Sequence, residues 1–221
     1  MIEPIPFMLL TLALGFKHSY DADHLIAVSV ILRKVNSVIN AIKIGLSWAV
    51  GHMLTAGIIT LLLFAFKESF LQNVLPYFEK IVGIILIILG LWGLKDVFFA
   101  HSHKHRHGNI VHSHLHIHDK NKNHSGHYHK HMLGIGVIHG LASNDEILIL
   151  LTASLGVATL GGIMLGIGMF SIGVVAGMVL FSVLLSIPVI KANSAGFYRI
   201  VSAATGLISI VYGASSLFAI I

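Results

Sequence analysis

The chain is 221 residues long, 56% hydrophobic and only 10% charged. A soluble domain averages about 25% charged residues, so a soluble enzyme is excluded, as is disorder over most of the chain. The net charge of +5 is spread between apolar runs rather than over a soluble surface, which points to membrane orientation and away from nucleic acid. With no cysteine, a disulfide framework, thiolate metal sites and cysteine catalysis are excluded as well. The 16 histidines, against 9 carboxylates, are the feature that needs explaining.

A membrane-spanning helix takes about 20 predominantly apolar residues, and six runs of the chain qualify. The first, residues 5–32, is interrupted by Lys17, His18, Asp21, Asp23 and His24. It lacks a basic start and a small-residue cleavage site, so it reads as a spanning segment rather than a cleavable signal peptide. The second run is 41–66 and the third is 81–99, entered just after Pro76. A hydrophilic stretch at 101–131 separates these from the fourth run, 132–155, which again carries polar residues. The fifth, 162–190, ends near Pro188 and Lys191, and the sixth is 197–221. The expected fold is an all-α integral membrane protein of six transmembrane helices. Gly161, Gly162, Gly166, Gly168, Gly173 and Gly177 predict tight packing of the fifth helix against a neighbour, in the same chain or in a second copy.

Lysine and arginine set the expected orientation in the cell membrane. Eleven of the 14 lie in the loops after helices 1, 3 and 5, whereas the opposite side has only Lys67 and Lys80, and Lys17 lies within helix 1. Cytoplasmic loops carry the basic excess. This predicts a cytoplasmic 101–131 loop and both termini outside.

The halves of the sequence resemble each other. Gly15-Phe16-Lys17-His18 is matched by Gly136-Val137-Ile138-His139, and each histidine precedes a polar cluster: Asp21-Ala22-Asp23-His24 and Ser143-Asn144-Asp145-Glu146. Lys80-Ile81-Val82 pairs with Arg199-Ile200-Val201, and Trp92-Gly93 with Tyr212-Gly213. Three helices per half, an odd number, require the halves to be inverted in the membrane. Inverted repeats are a transporter architecture with the site near the midplane. The expected domains are therefore a first three-helix repeat at 1–100, a histidine-rich loop at 101–131 and a second repeat at 132–221.

An Asp or Lys at the centre of a spanning helix costs about 2.5–3.5 kcal/mol on insertion scales. The cluster in helix 1 must therefore face the bundle interior, water or an ion. On a regular helix His18, Asp21 and His24 share one face, while Asp23 points nearer to Tyr20. If Asp23 and His24 serve the same ion as His18, the helix must be unwound there, as happens at midplane transport sites. Imidazole and carboxylate without thiolate make an N/O shell that suits nickel(II) or cobalt(II) and admits zinc. Candidate metal-binding residues are His18, Asp23, His24 and His52. Asp21, His139, Asn144, Asp145 and Glu146 are candidates for gating or coupling. The alternatives are a proton relay or a buried hydrogen-bonded network at the first group, and a helix end at Asp145 and Glu146.

At these residues the sequence resembles the nickel/cobalt transporter family, often called NiCoT. That family's signature, H-x4-D-H in an early membrane helix, reads here as His18-Ser19-Tyr20-Asp21-Ala22-Asp23-His24, and a Gly-His in the following helix is matched by Gly51-His52. His139-Gly140-Leu141-Ala142 with Asp145-Glu146 is a looser match. The resemblance implies that His18, Asp23 and His24 select and carry the metal, assisted by His52. Nickel(II) or cobalt(II) would be transported substrate, with no resident cofactor. Typical members have eight spanning helices rather than six. Six helices with a histidine-rich loop resemble efflux proteins of the RcnA type in architecture, although those carry a different first-helix motif. Short six-helix relatives also occur as urease-associated nickel permeases. Uptake is thus the first reading, and RcnA-like export or a metal-binding accessory or sensor protein without transport are the alternatives.

Twelve of the 16 histidines lie in the loop: His101, His103, His105, His107, His112, His114, His116, His118, His124, His127, His129 and His131. Such tracts bind divalent metals loosely. Their alternation fits a strand, but their charge and length predict disorder. A metal sink, a delivery surface for cytoplasmic metallochaperones, a flux sensor and a plain linker all fit. Catalysis has no support, since there is no His-Glu-x-x-His or Gly-x-Ser-x-Gly motif. An anion site would want Arg or Lys, and only Lys17 is near the cluster. The expected partners are therefore divalent metal ions and membrane lipid.

Overall fold

A computed structural model of the chain describes residues 4–66, 71–107, 110–117, 128–142, 160–192 and 194–218. Its helices are α1 (Pro4–His18), α2 (Ala22–Leu32), α3 (Val38–Phe66), α4 (Leu71–Phe99), α5 (Tyr128–Ala142), α6 (Leu160–Ala192) and α7 (Ala195–Phe218), with strands β1 (Ala100–His107) and β2 (Ile110–Ile117) between α4 and α5. Among the described residues, three helices are long and apolar enough to cross a membrane, at Val38–Leu62, Leu160–Ala192 and Gly196–Phe218. The chain is a membrane protein. Many large apolar side chains point outward from these helices, among them Leu54, Leu184, Ile200 and Val211, each more than half exposed. Water would penalise such a surface, whereas lipid tails accommodate it.

Several expectations change, among them the start of the fourth run, since α5 begins at Tyr128 rather than at 132. The first run is not one helix: α1 stops at His18 and α2 starts at Ala22, for reasons that belong to the site. The third helix begins at Leu71 rather than after Pro76, because the backbone stays helical beyond the apolar stretch that a lipid-thickness criterion detects. The 101–131 tract, expected to be disordered, contains an antiparallel two-stranded pairing that sets His101 opposite His116, His103 opposite His114 and His105 opposite His112. Alternation of period two suits an extended chain, and here it outweighs the charge.

The helices pack chiefly as α1 with α6, α3 with α5, and α4 with α7. Small residues allow the close approaches. A Cβ on Gly15 would collide with the Phe170 carbonyl of α6, and one on Gly136 with the Trp48 carbonyl of α3. Conversely, a Cβ on Gly173 would meet Leu12 and Phe16 of α1, and one on Gly51 would meet Leu133 and Val137 of α5. Each residue in the first contact of such a pair has its counterpart 121 or 122 positions away in the second (Gly15 and Gly136, Phe170 and Trp48, Gly173 and Gly51). In α4 and α7 the contacts of Gly83 with Gly213 and of Gly90 with Gly206 exchange under a shift of 123 (83 to 206, 90 to 213).

The glycine-rich fifth run packs within its own chain. Gly166 faces Phe7, and Gly173 and Gly177 face α1, while Gly161 and Gly168 have nothing within 4 Å of a would-be Cβ. The principal core lies between α2, α3 and α6, with Trp48, Phe170, Met178 and Ile31 buried. Arg33, counted above as a loop charge, is buried and donates from Nη1 to the Gly93 carbonyl at 3.1 Å, which ties the end of α2 to α4.

Candidate metal centre

The break between α1 and α2 begins with backbone hydrogen bonding. After His18 the chain tightens: Tyr20 N donates to the Lys17 carbonyl at 3.0 Å and Asp21 N to the His18 carbonyl at 2.9 Å, both i to i−3. Asp21 then turns extended (φ −65°, ψ 145°), and its carbonyl accepts from the backbone N–H groups of His24 and Leu25 to start α2. A polar cluster thus sits at two helix ends, where peptide groups are already free of the helical ladder.

The consequence is a folded-over pair of histidines. His18 and His24 meet Nε2 to Nε2 at 2.6 Å. Behind them, His18 Nδ1 contacts Asp21 Oδ2 at 2.6 Å and His24 Nδ1 contacts Asp23 Oδ1 at 3.0 Å. A carboxylate only accepts, so the short contact with Asp21 puts the proton of neutral His18 on Nδ1 and turns its Nε2 lone pair towards His24. Two lone pairs at that distance repel unless a proton lies between them, and a metal ion about 2.0–2.1 Å from each nitrogen would need the pair to open. Carboxylates behind ligating imidazoles fix tautomer and ring orientation in this way.

His52 of α3 completes the group. It is fully buried, and its ring centroid lies 4.7 Å from that of His24 and 5.7 Å from that of His18. Among the described residues, His18, His24 and His52 form a set whose ligand atoms all lie within 4.8 Å of one another and could hold a metal ion. Metal–nitrogen bonds of about 2.0–2.1 Å place two donors at most ~4.2 Å apart. Sharing one ion therefore takes small shifts in both directions, with the widest separation closing and the 2.6 Å His18–His24 pair opening. The walls are aromatic: Trp48 stacks on His52 (4.7 Å, 15°) and lies 4.8 Å from His24, and Phe170 lies 5.8 Å from His18. The Gly-His pair of α3 has a packing reason too, since a side chain at Gly51 would strike α5.

Other expected residues fall in different places. Asp23 stands on His24 Nδ1 rather than among the imidazole Nε2 atoms, and Asp21 has the same relation to His18. His139 is buried, 6.2 Å from His24 and 5.9 Å from Trp48 between ring centroids. Asn144, Asp145 and Glu146 lie outside the described residues, as do His118, His124 and His127. His129 and His131 fall in the first turns of α5. The sequence reading missed the walls. Trp48 was detectable, because it precedes His52 by four residues and so shares its helix face. Phe170 had no signal except its 122-residue separation from Trp48.

The chain resembles a urease accessory protein along nearly its whole length. It is 29% identical over 213 residues, 96% of this chain and 90% of the relative, to urease accessory protein UreH of Bacillus sp. (strain TB-90). No family model matches the chain, and no solved structure matches it.

Proposed function

We propose that this chain is a transporter of divalent transition-metal ions, nickel(II) and cobalt(II) foremost, that works by alternating access. The observation that carries the reading is the convergence of His18, His24 and His52, from three helices, with Asp21 and Asp23 behind two of them. Such a group is costly to keep inside a membrane bundle for stability alone. Three neutral imidazoles, two of them backed by carboxylates, make a nitrogen donor set of the kind that suits nickel among the divalent transition metals. The similarity to a urease accessory protein supports a nickel-related role, as does the resemblance of His18 to His24 to the NiCoT signature. The paired packing of α1 with α6 and α3 with α5 supports two inverted three-helix halves around the site.

In this reading the ion sheds water between the halves, binds the three imidazoles, and leaves on the other side after the halves rock. With the basic loops cytoplasmic, inward movement of a divalent ion gains about 2.3 kcal/mol per charge per 100 mV, so uptake needs no other driving force. Accumulation of nickel-63 by cells expressing the protein, above a vector control, is the expected result. Reduced accumulation with raised nickel tolerance would make it an exporter with the same ligands. Unchanged accumulation with nickel bound to the purified protein would favour a non-transporting accessory role, which the relative's name also fits.

The histidine tract at 101–131 is proposed as a cytoplasmic metal buffer distinct from the selective site. Deleting residues 101–131 is expected to change uptake rate while leaving the order of preference among nickel, cobalt and zinc intact. A competition assay checks this, and a reordered preference would refute it. Metal bound by the isolated tract should fall away below about pH 6.5, because protonated imidazole has no lone pair to donate.

A further inference from the structure

Twelve histidines lie in the loop, and the remaining four, His18, His24, His52 and His139, all gather inside the membrane bundle. Three form the ligand group. The fourth, His139, stands beside it, and its place follows from the relation between the two halves.

His139 is the counterpart of His18. The residues around them correspond at the same separation of 121: Leu12 and Leu133, Gly15 and Gly136, Phe16 and Val137, His18 and His139. The tertiary contacts correspond as well. Gly15 lets α1 approach the Phe170 carbonyl, and Gly136 lets α5 approach the Trp48 carbonyl. One turn later, His18 faces the Phe170 ring at 5.8 Å and His139 faces the Trp48 ring at 5.9 Å. Thus one contact, made once in each half, positions both histidines. They differ in what lies ahead of them: His18 is in the group with His24 and His52, and His139 is outside it.

His139 is nevertheless prepared for a ligand. Its Nδ1 lies 3.1 Å from the Ile135 carbonyl. A carbonyl only accepts, so Nδ1 carries the proton and the neutral ring has its lone pair on Nε2. Its ring centroid is 6.2 Å from that of His24. An imidazole bound at about 2.0–2.1 Å has its centroid ~3.2 Å from the metal, so two rings sharing an ion lie up to ~6.4 Å apart. The His24–His139 separation falls just inside that span, so a shared ion requires the two Nε2 atoms to turn towards each other.

We propose that His139 is the receiving ligand of the transport cycle: the ion passes from a site made by His18, His24 and His52 to one made by His24 and His139 as the two halves exchange arrangements. The proposal rests on the transport reading and adds a residue and an order of events. In a symmetric exchange, the half that holds the ion through His18 gives way to the half that holds it through His139, with His24 as the pivot.

The test uses the full-length protein, purified for nickel(II) binding by calorimetry and reconstituted in liposomes for nickel-63 flux. His139→Ala is expected to bind nickel within about threefold of the unaltered protein, because the resting group is intact, but to lose flux by roughly tenfold or more. His18→Ala should lose binding and flux together. Unaltered flux in His139→Ala would overturn the proposal. So would a binding loss in His139→Ala as large as that in His18→Ala, which would make His139 a ligand of the resting site. His139→Gln, with the thermal midpoint measured alongside, separates lost ligation from lost folding: a folded variant with normal flux overturns the proposal, and a folded variant that binds but does not transport supports it. Nickel binding without flux by the unaltered protein would defeat the transport reading itself, and this inference with it.

Discussion

Replacing His18 with alanine is expected to bring nickel accumulation down to the vector background while the protein still reaches the membrane. His18 is the only member of the ligand group on α1, and its Nε2 lies 2.6 Å from that of His24. Without it, two imidazoles remain where three converge. Asp21 loses its partner but keeps its solvation, since its side chain is 46% exposed. Insertion should not suffer, because the substitution removes a polar group from a membrane segment. Asp23→Asn is the graded companion. Asparagine keeps the shape beside His24 Nδ1 but lacks the charge, and loss of such a supporting carboxylate typically costs about 10–100-fold in metal affinity or activity. Parallel nickel-63 uptake and membrane-fraction blots check both variants. Normal uptake by His18→Ala would remove the site from the transport path.

Gly15→Val and Gly136→Val should each prevent the bundle from assembling, and to a similar degree. At both positions a Cβ would run into a backbone carbonyl of the facing helix, Phe170 in one case and Trp48 in the other. Overpacking of side chains costs about 1–3 kcal/mol. A backbone carbonyl within a helix cannot rotate aside as a side chain can, so the cost here should exceed that range and approach a total stability of about 5–15 kcal/mol. Gly168→Val is the control, with nothing within 4 Å of its added Cβ. Size-exclusion profiles in detergent should show a single sharp peak for Gly168→Val and aggregated or absent protein for the other two. A sharp peak at unaltered thermal midpoint for Gly15→Val would mean that α1 and α6 do not pack as described.

Composition was enough to place this chain in a membrane, because 10% charged residues cannot cover a water-facing surface. Histidine spacing was enough to identify the candidate chemistry, because His18, Asp23 and His24 sit where lipid would otherwise penalise them. The similarity between the halves was also legible, in Gly15-Phe16-Lys17-His18 against Gly136-Val137-Ile138-His139. The roles within the cluster were not. Hydropathy reads 5–32 as one interrupted run, and helical geometry puts Asp23 away from His18. Only the turn at residues 19–21 folds His24 back onto His18 and sets each carboxylate behind a ring. Nor does any local pattern indicate that Phe170, far along the chain, walls the same site as Trp48. Sequence by itself determined which groups must be sheltered from lipid, since transfer cost depends on residue type. The tertiary structure decided which imidazoles meet and which carboxylates support them, because that depends on where helices break and how closely glycine lets them approach.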